Sequence, residues 1–183
     1  MRDITEKEAV KLLRKYSNNK ESFNAVLNHS RAVQKLALEI AGDIKENHDV
    51  DIGIVGIGSL LHDIGRFKCY KKSSIRHGLA GGKILNKEGL AKYAKIAETH
   101  IGVGITKQDI KKYKLNLPLR DFTPKTTEQK IIAYADNLIF GSKRVKINKA
   151  IERFRKELGK KHRERVIKLH NEIEKLRARN NFL

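Results

Sequence analysis

The chain has no tryptophan, one cysteine, one methionine, two prolines and only eleven phenylalanine and tyrosine residues among 183. Each scarcity excludes something. A lone Cys69 rules out an internal disulfide framework and fits a reducing compartment. So few aromatics, with no surface run of them, speak against a base-stacking platform for single-stranded nucleic acid. Long apolar stretches are also missing: the longest uncharged run, Gly53 to Leu61, is too short to cross a bilayer. The polar opening Met1-Arg2-Asp3-Ile4-Thr5-Glu6 lacks the apolar core of a secretory signal. A cytoplasmic protein without a membrane partner is expected. Acidic residues are scarce beside basic ones, 21 against 40, for a net charge of +19. Such an excess attracts polyanions, but lysine-rich usage also accompanies high-temperature habitats. Charge alone does not choose the substrate.

What is present is helical patterning from end to end. At this length one main domain is expected. Thr5 can cap a helix carrying Ala9, Leu12, Leu13 and Tyr16. Val26, His29, Val33, Leu36 and Ile40 recur at helical spacing, which puts His29 on a core-facing stripe. A third helix is predicted over about 52–64, ending near Gly65; its Gly53, Gly56 and Gly58 permit close packing. Further helices are predicted over about 74–85 and 89–100, with His77 and His100 on their apolar sides. Residues 102–125 hold both prolines, Pro118 and Pro124, and read as a loop or lid with a short helix over 108–113. Thr127 caps a helix with Ile132, Asp136, Ile139 and Phe140 on one face. No strand-like alternation is sustained.

Composition shifts from Ser142 onward: residues 141–183 hold 15 Lys and Arg against 5 Asp and Glu. Ile147, Ile151, Phe154 and Leu158 form one stripe, and Val166, Leu169, Ile173 and Leu176 another at near-heptad spacing. A basic amphipathic extension over 142–183, broken at Gly159, is expected to pack on a body formed by 1–141. Its second stripe also offers a surface for a homodimer.

The chemistry lies in the inward-facing polar residues. Buried carboxylates are paired or bind metal, and Asp136 has only Ile132, Ala133, Ile139 and Phe140 at helical neighbour positions. Asp63 sits among Leu60, Leu61 and Ile64, with Arg66 one turn on. A single inward histidine is most often a hydrogen-bonded core residue. Four of them, His29, His62, His77 and His100, together with two inward carboxylates, are better explained by one shared metal centre. His48, His162 and His170 lie among polar or basic residues and are expected at the surface. Nitrogen and oxygen ligands without thiolate suit Mn, Fe, Co or Ni rather than Mg or a structural zinc.

Taken in order, His29, His62-Asp63 and Asp136 resemble the four defining positions of the HD superfamily of metal-dependent phosphohydrolases. The context is similar too: Leu60-Leu61-His62-Asp63-Ile64-Gly65, His77-Gly78, Glu98-Thr99-His100-Ile101-Gly102 and Tyr134-Ala135-Asp136-Asn137. The likeness spans roughly 22–142 and is nearest to small archaeal proteins with the His-Asp-Ile-Gly motif. It implies an all-α helical bundle. His77 and His100 match the extra histidines of binuclear branches, so the resemblance implies one or two divalent ions, with Asp63 as the bridging, catalytic carboxylate. The Gly-Tyr-Pro element of the cyclic-di-nucleotide branch is absent, as are the acidic residues that follow the His-Asp pair in the alarmone branch. Arg66 stands where many relatives have lysine; its planar fork suits phosphate.

The expected activity is hydrolysis of a phosphomonoester or phosphodiester of a nucleotide-like small molecule by metal-activated water. Arg66, with Lys107, Arg120 or Lys111 from the lid, is expected to hold the phosphate. The alternative is a nucleic-acid-binding or RNA-processing protein that uses its basic C-terminal helices. Since the expected ligands all precede Ser142, nothing beyond it is expected at the site.

Overall fold

The computed structural model describes residues 3–69 and 74–178. It is all-α apart from one two-residue hairpin. The helices are α1 (Glu6–Tyr16), α2 (Lys20–Lys45), α3 (Ile52–Leu61), α4 (Arg66–Cys69), α5 (His77–Lys87), α6 (Ala91–Thr99), α7 (Lys107–Lys112), α8 (Thr127–Asn137), α9 (Ile147–Leu158) and α10 (Lys160–Arg177). Antiparallel strands β1 (Ile139–Phe140) and β2 (Lys143–Arg144) turn through Gly141. Alternation over two residues leaves no pattern, which is why the sequence does not announce this hairpin. No described helix is long and apolar enough to cross a membrane. The last five residues of the basic extension, 179–183, lie outside the described residues.

Local signals set the helix starts. Thr5 and Glu8 form a reciprocal capping box for α1, Asn19 accepts from the Ser22 amide to open α2, and Asp51 accepts from the Ile54 amide to open α3. The cap of α8 is Thr126, one residue earlier than expected. The 26-residue α2 is the spine, packing against both α3 and α8. Its Leu36, Ile40 and Ile44 meet Leu60 and Leu61 of α3 and Ile131 and Ile132 of α8 in one core.

Three boundaries differ from expectation. The third helix stops at Leu61, so His62 and Asp63 occupy the turn between α3 and α4 rather than a helix interior. The fifth begins at His77, after a single 3-10 turn over Ser74–Arg76. The eighth stops at Asn137, so Ile139 and Phe140 form β1 instead of continuing the helix face expected for them; the extension does break where expected, α9 ending at Gly159 with φ of +82°. Val166, Leu169 and Ile173 of α10 are buried, Leu169 and Ile173 joining the same core as α2 and α8, with Leu176 packed against it. That stripe is consumed within the chain, which removes it as a dimer surface.

The His62–Gly65 turn is possible because backbone meets backbone there. A Cβ on Gly65 would lie 1.9 Å from the His77 carbonyl oxygen and 2.4 Å from the Gly81 amide nitrogen. On Gly56 it would meet only the Leu38 side chain at 3.6 Å, an ordinary contact, and the end of Gln34 beyond it. Gly65→Ala should therefore destabilise by about 3 kcal/mol or more, since neither backbone can yield cheaply. Gly56→Ala, inside α3, should stabilise by about 0.5–1 kcal/mol. Urea unfolding monitored by circular dichroism checks both signs.

A second tie joins the lid to the C-terminal helix. Buried Asp109 of α7 accepts from Thr106 in a capping box and takes both guanidinium nitrogens of Arg165 from α10. Burial opposes its ionisation, but Arg165 and Thr106 outweigh that and hold the carboxyl well below its ordinary range. A depressed carboxyl contributes stability above its unfolded value, about pH 4, and loses it as pH falls through the folded value. Asp109→Asn should lower stability by about 1.5–3 kcal/mol at neutral pH. The gap from wild type should close in unfolding curves taken at progressively more acid pH.

Candidate metal centre

Four helices and one turn deliver six side chains to one point. His29 comes from α2, His62 and Asp63 from the turn after α3, His77 from the start of α5, His100 from the end of α6, and Asp136 from α8. His29 Nε2 lies 2.9 Å from Asp136 Oδ1 and 3.5 Å from Asp63 Oδ2. His62 Nε2 lies 3.6 Å from Asp136 Oδ1 and 3.7 Å from Asp63 Oδ2. On the other carboxylate oxygen, Asp63 Oδ1 lies 3.1 Å from His77 Nε2 and 3.4 Å from His100 Nε2. The two Nε2 atoms of His77 and His100 are 2.9 Å apart. Asp63 thus stands between two groups of imidazoles, one at each oxygen. All six expected residues are brought together.

The imidazoles are oriented from behind. His29 Nδ1 faces the Gly141 carbonyl at 2.6 Å, His62 Nδ1 the Ser59 carbonyl at 2.6 Å, and His100 Nδ1 the Ala97 carbonyl at 2.9 Å. A carbonyl can only accept, so each Nδ1 carries the proton and donates it. Each Nε2 is then turned toward the cluster, the arrangement that a carbonyl behind the ring imposes on metal-ligating histidines. At His29 and Asp136 the contact needs either a proton on Nε2 or a cation between the two.

The electrostatics show the same need. Burial alone would depress His29, but the Asp136 and Asp63 carboxylates raise it to about 9. His100, fully buried, is pushed down to about 4 by desolvation despite Asp63. Burial also opposes ionisation of Asp136 and Asp63, yet the surrounding imidazoles hold both carboxyls well below the ordinary range. Among the described residues, His62 Nε2 and Asp63 Oδ1 are buried without a well-aligned hydrogen bond. Such orphan atoms are costly unless something absent from the protein atoms completes them. His29, His62 and Asp136 form one group whose ligand atoms lie within 4.8 Å of one another, and His62, Asp63 and His100 form another. Neighbouring donors about 2.1 Å from one ion sit about 3 Å apart, so the donor set fits a divalent cation.

Two cavities open on this cluster. The larger, about 800 Å³, reaches His77 and His100 and is otherwise largely apolar, with Ile101, Ile105 and Phe154 in its wall. The smaller, about 660 Å³, reaches His29 and Asp63. Arg66 borders both and pairs through Nε with Asp63 Oδ2. The other basic residues expected here are elsewhere. Arg120 is 3.0 Å from Glu98 Oε1 and its guanidinium lies over Phe122, while Lys107 and Lys111 are exposed on α7. None of the three lines either cavity. The lid turns Asp109 and Tyr113 toward the larger cavity instead.

The extension does reach the site, against expectation. Arg153 of α9 lines both cavities, and His162 of α10 lines the larger one. His162 is buried, with Nδ1 3.0 Å from the Leu158 carbonyl, and is not a surface residue. Its place four residues before Val166 on the buried stripe was the available signal. His170 is half-buried, with Nδ1 2.7 Å from the Tyr134 hydroxyl; His48 is exposed as expected.

Comparison with known proteins agrees with this geometry. The HD domain family matches residues 26–141. An uncharacterized protein of Methanocaldococcus jannaschii is 47% identical over 155 residues, which cover 82% of this chain and 89% of that one. A tRNA (cytidine(56)-2'-O)-methyltransferase of Thermoplasma volcanium is 37% identical over 166 residues, covering 90% of this chain but only 45% of the methyltransferase. Among solved structures, the HD domain of the L. monocytogenes phosphodiesterase PgpH in complex with cyclic-di-AMP is similar, with a TM-score of 0.57 and 18% identity over 93% of this chain and 92% of that one. The matched segment encloses all six converging side chains, and the chain belongs to the HD domain family.

Proposed function

We propose that the chain is a metal-dependent phosphohydrolase acting on a phosphomonoester or phosphodiester of a nucleotide-like small molecule. The observation that carries this reading is the pair of orphaned buried atoms, His62 Nε2 and Asp63 Oδ1, at the centre of a four-histidine, two-carboxylate cluster that borders a large apolar cavity. His29, His62, Asp63 and Asp136 would hold one divalent ion, and His77 and His100 would share Asp63 with a second. When bound, such ions supply Lewis acidity, bringing water into nucleophilic form near neutral pH and offsetting charge on a phosphoryl oxygen. The donor set favours Mn, Fe, Co or Ni over Mg or Zn.

The chain's own residues do the rest. The carbonyls of Gly141, Ser59 and Ala97 hold three imidazoles in the ligating tautomer. Asp63 would place the reacting centre, and Arg66 keeps that carboxylate fixed while presenting its remaining N–H groups to the cavity. The apolar wall of Ile101, Ile105 and Phe154 excludes bulk water and offers a surface for an organic group.

A second reading has one specific observation behind it. The Thermoplasma volcanium protein that shares this segment bears the name of a tRNA-modifying enzyme, and this chain carries a net charge of +19. An RNA partner held by the basic C-terminal helices would follow. Binding of bulk tRNA would then weaken steeply with salt, with a log–log slope near −0.9 per phosphate neutralised on duplex regions.

Elemental analysis of protein loaded anaerobically with Mn²⁺ should give two ions per chain, falling to one in a His77→Ala, His100→Ala double variant that has lost turnover. Asp63→Ala should abolish hydrolysis of phosphomonoesters, cyclic nucleotides and dinucleoside polyphosphates alike. One ion per chain in wild type and double variant alike, with activity unchanged, would demote both histidines to core residues and make the site mononuclear. Hydrolysis confined to tRNA would favour the second reading.

A further inference from the structure

Arg153 is the unexplained residue of this site. It belongs to α9, outside the segment that matches the HD domain family. Its buried Nε–H has no hydrogen-bond partner among the described residues; the nearest carboxylate oxygen, Glu157 Oε2, is 3.9 Å away, beyond hydrogen-bond reach. The guanidinium lies 4.4 Å from the Phe140 ring centre and 4.9 Å from that of Phe154. Two rings from different elements thus hold the cation in place without using its donors. Arg66, the other arginine at the cluster, already has its Nε on Asp63.

Position adds to this. One cavity is walled by His77 and His100, the other by His29 and Asp63, and Arg66, Asp136 and Arg153 border both. An anion centred on the cluster would present an oxygen to the unused fork of Arg153, the geometry in which arginine recognises phosphate. A substituent on that anion could extend into either cavity. A phosphomonoester has one organic substituent and would use one cavity; a phosphodiester has two.

We infer that Arg153 is a phosphate-binding residue of a two-sided site built for a phosphodiester, with one ester arm in the larger apolar cavity and the other in the smaller cavity beside Phe140 and Ser142. This rests on the phosphohydrolase reading and narrows it. The reaction is then addition of water oxygen to phosphorus with cleavage of one phosphorus–oxygen ester bond. One alcohol leaves with the proton, and a phosphomonoester remains. The arginine holds a non-bridging oxygen and neither gains nor loses a proton.

The test uses the full chain loaded with Mn²⁺, with bis(p-nitrophenyl) phosphate and p-nitrophenyl phosphate as substrates and inorganic phosphate as a calorimetric probe. Arg153→Ala should raise KM for the diester and Kd for phosphate by about ten- to a hundredfold, the range for a lost charge-assisted hydrogen bond. Metal content and circular dichroism should not change. Arg153→Lys, which keeps charge and most of the packing, should recover only part of the loss. Ser142→Trp, at an exposed position beside the smaller cavity, should raise KM for the diester more than for the monoester. Unchanged KM and phosphate Kd in both Arg153 variants, with hydrolysis intact, would overturn the role of Arg153 alone. Preference for the monoester, with Ser142→Trp affecting both esters equally, would overturn the two-sided site. Hydrolysis of neither ester together with no phosphate binding would overturn the phosphohydrolase reading and this inference with it.

Discussion

Everything in this molecule depends on holding four imidazoles and two carboxylates at one point inside an apolar bundle. Unpaired, such groups are costly to bury. The backbone meets part of that cost from behind, with carbonyls at Gly141, Ser59 and Ala97 each accepting one imidazole proton. The effect is to aim each Nε2 at the carboxylates, as between His29 Nε2 and Asp136 Oδ1 at 2.9 Å. A site so arranged could hold a divalent cation, and among the described residues His62 Nε2 and Asp63 Oδ1 are left without a hydrogen bond.

The glycines follow from that constraint. His77 can approach Asp63 only if α5 comes close enough for its carbonyl to lie against Gly65, where any side chain would collide with backbone. Gly78 and Gly81 serve the same approach on the facing side, against the Ala97 carbonyl and the Ala97 side chain of α6. Beyond His100, Gly102 adopts φ of +60°, accepts from the Asn137 side chain and lies directly under Phe154. Through that contact the C-terminal helices reach the cavity wall, so the histidine and carboxylate cluster and the extension are parts of one packed unit.

How much of this could be read from the sequence varied with the kind of signal. His29, His77, His100 and Asp136 were legible because each sits on an apolar stripe where a polar side chain needs a reason, and His62 and Asp63 because they interrupt the apolar run Leu60-Leu61 and Ile64. Helix starts at Thr5 and near Thr127 were legible from capping chemistry. Arg153 was not, because its place depends on two rings brought together by a hairpin too short to leave an alternation pattern. Lys107 and Arg120 misled for a related reason: a basic residue in a loop gives no indication of which way it faces, and Glu98 draws Arg120 away. His162 looked like surface beside Lys161 and Arg163, although its spacing from Val166 and Leu169 already placed it on the buried face of α10.

The most direct test of the central claim is an anomalous difference map from crystals grown with Mn²⁺, recorded near the manganese absorption edge. The account predicts a peak within bonding distance, about 2–2.3 Å, of His62 Nε2 and an Asp63 oxygen, with His29 and Asp136 completing the same ion. A map in which manganese occupies only other sites, while His29 remains hydrogen-bonded to Asp136, would contradict it.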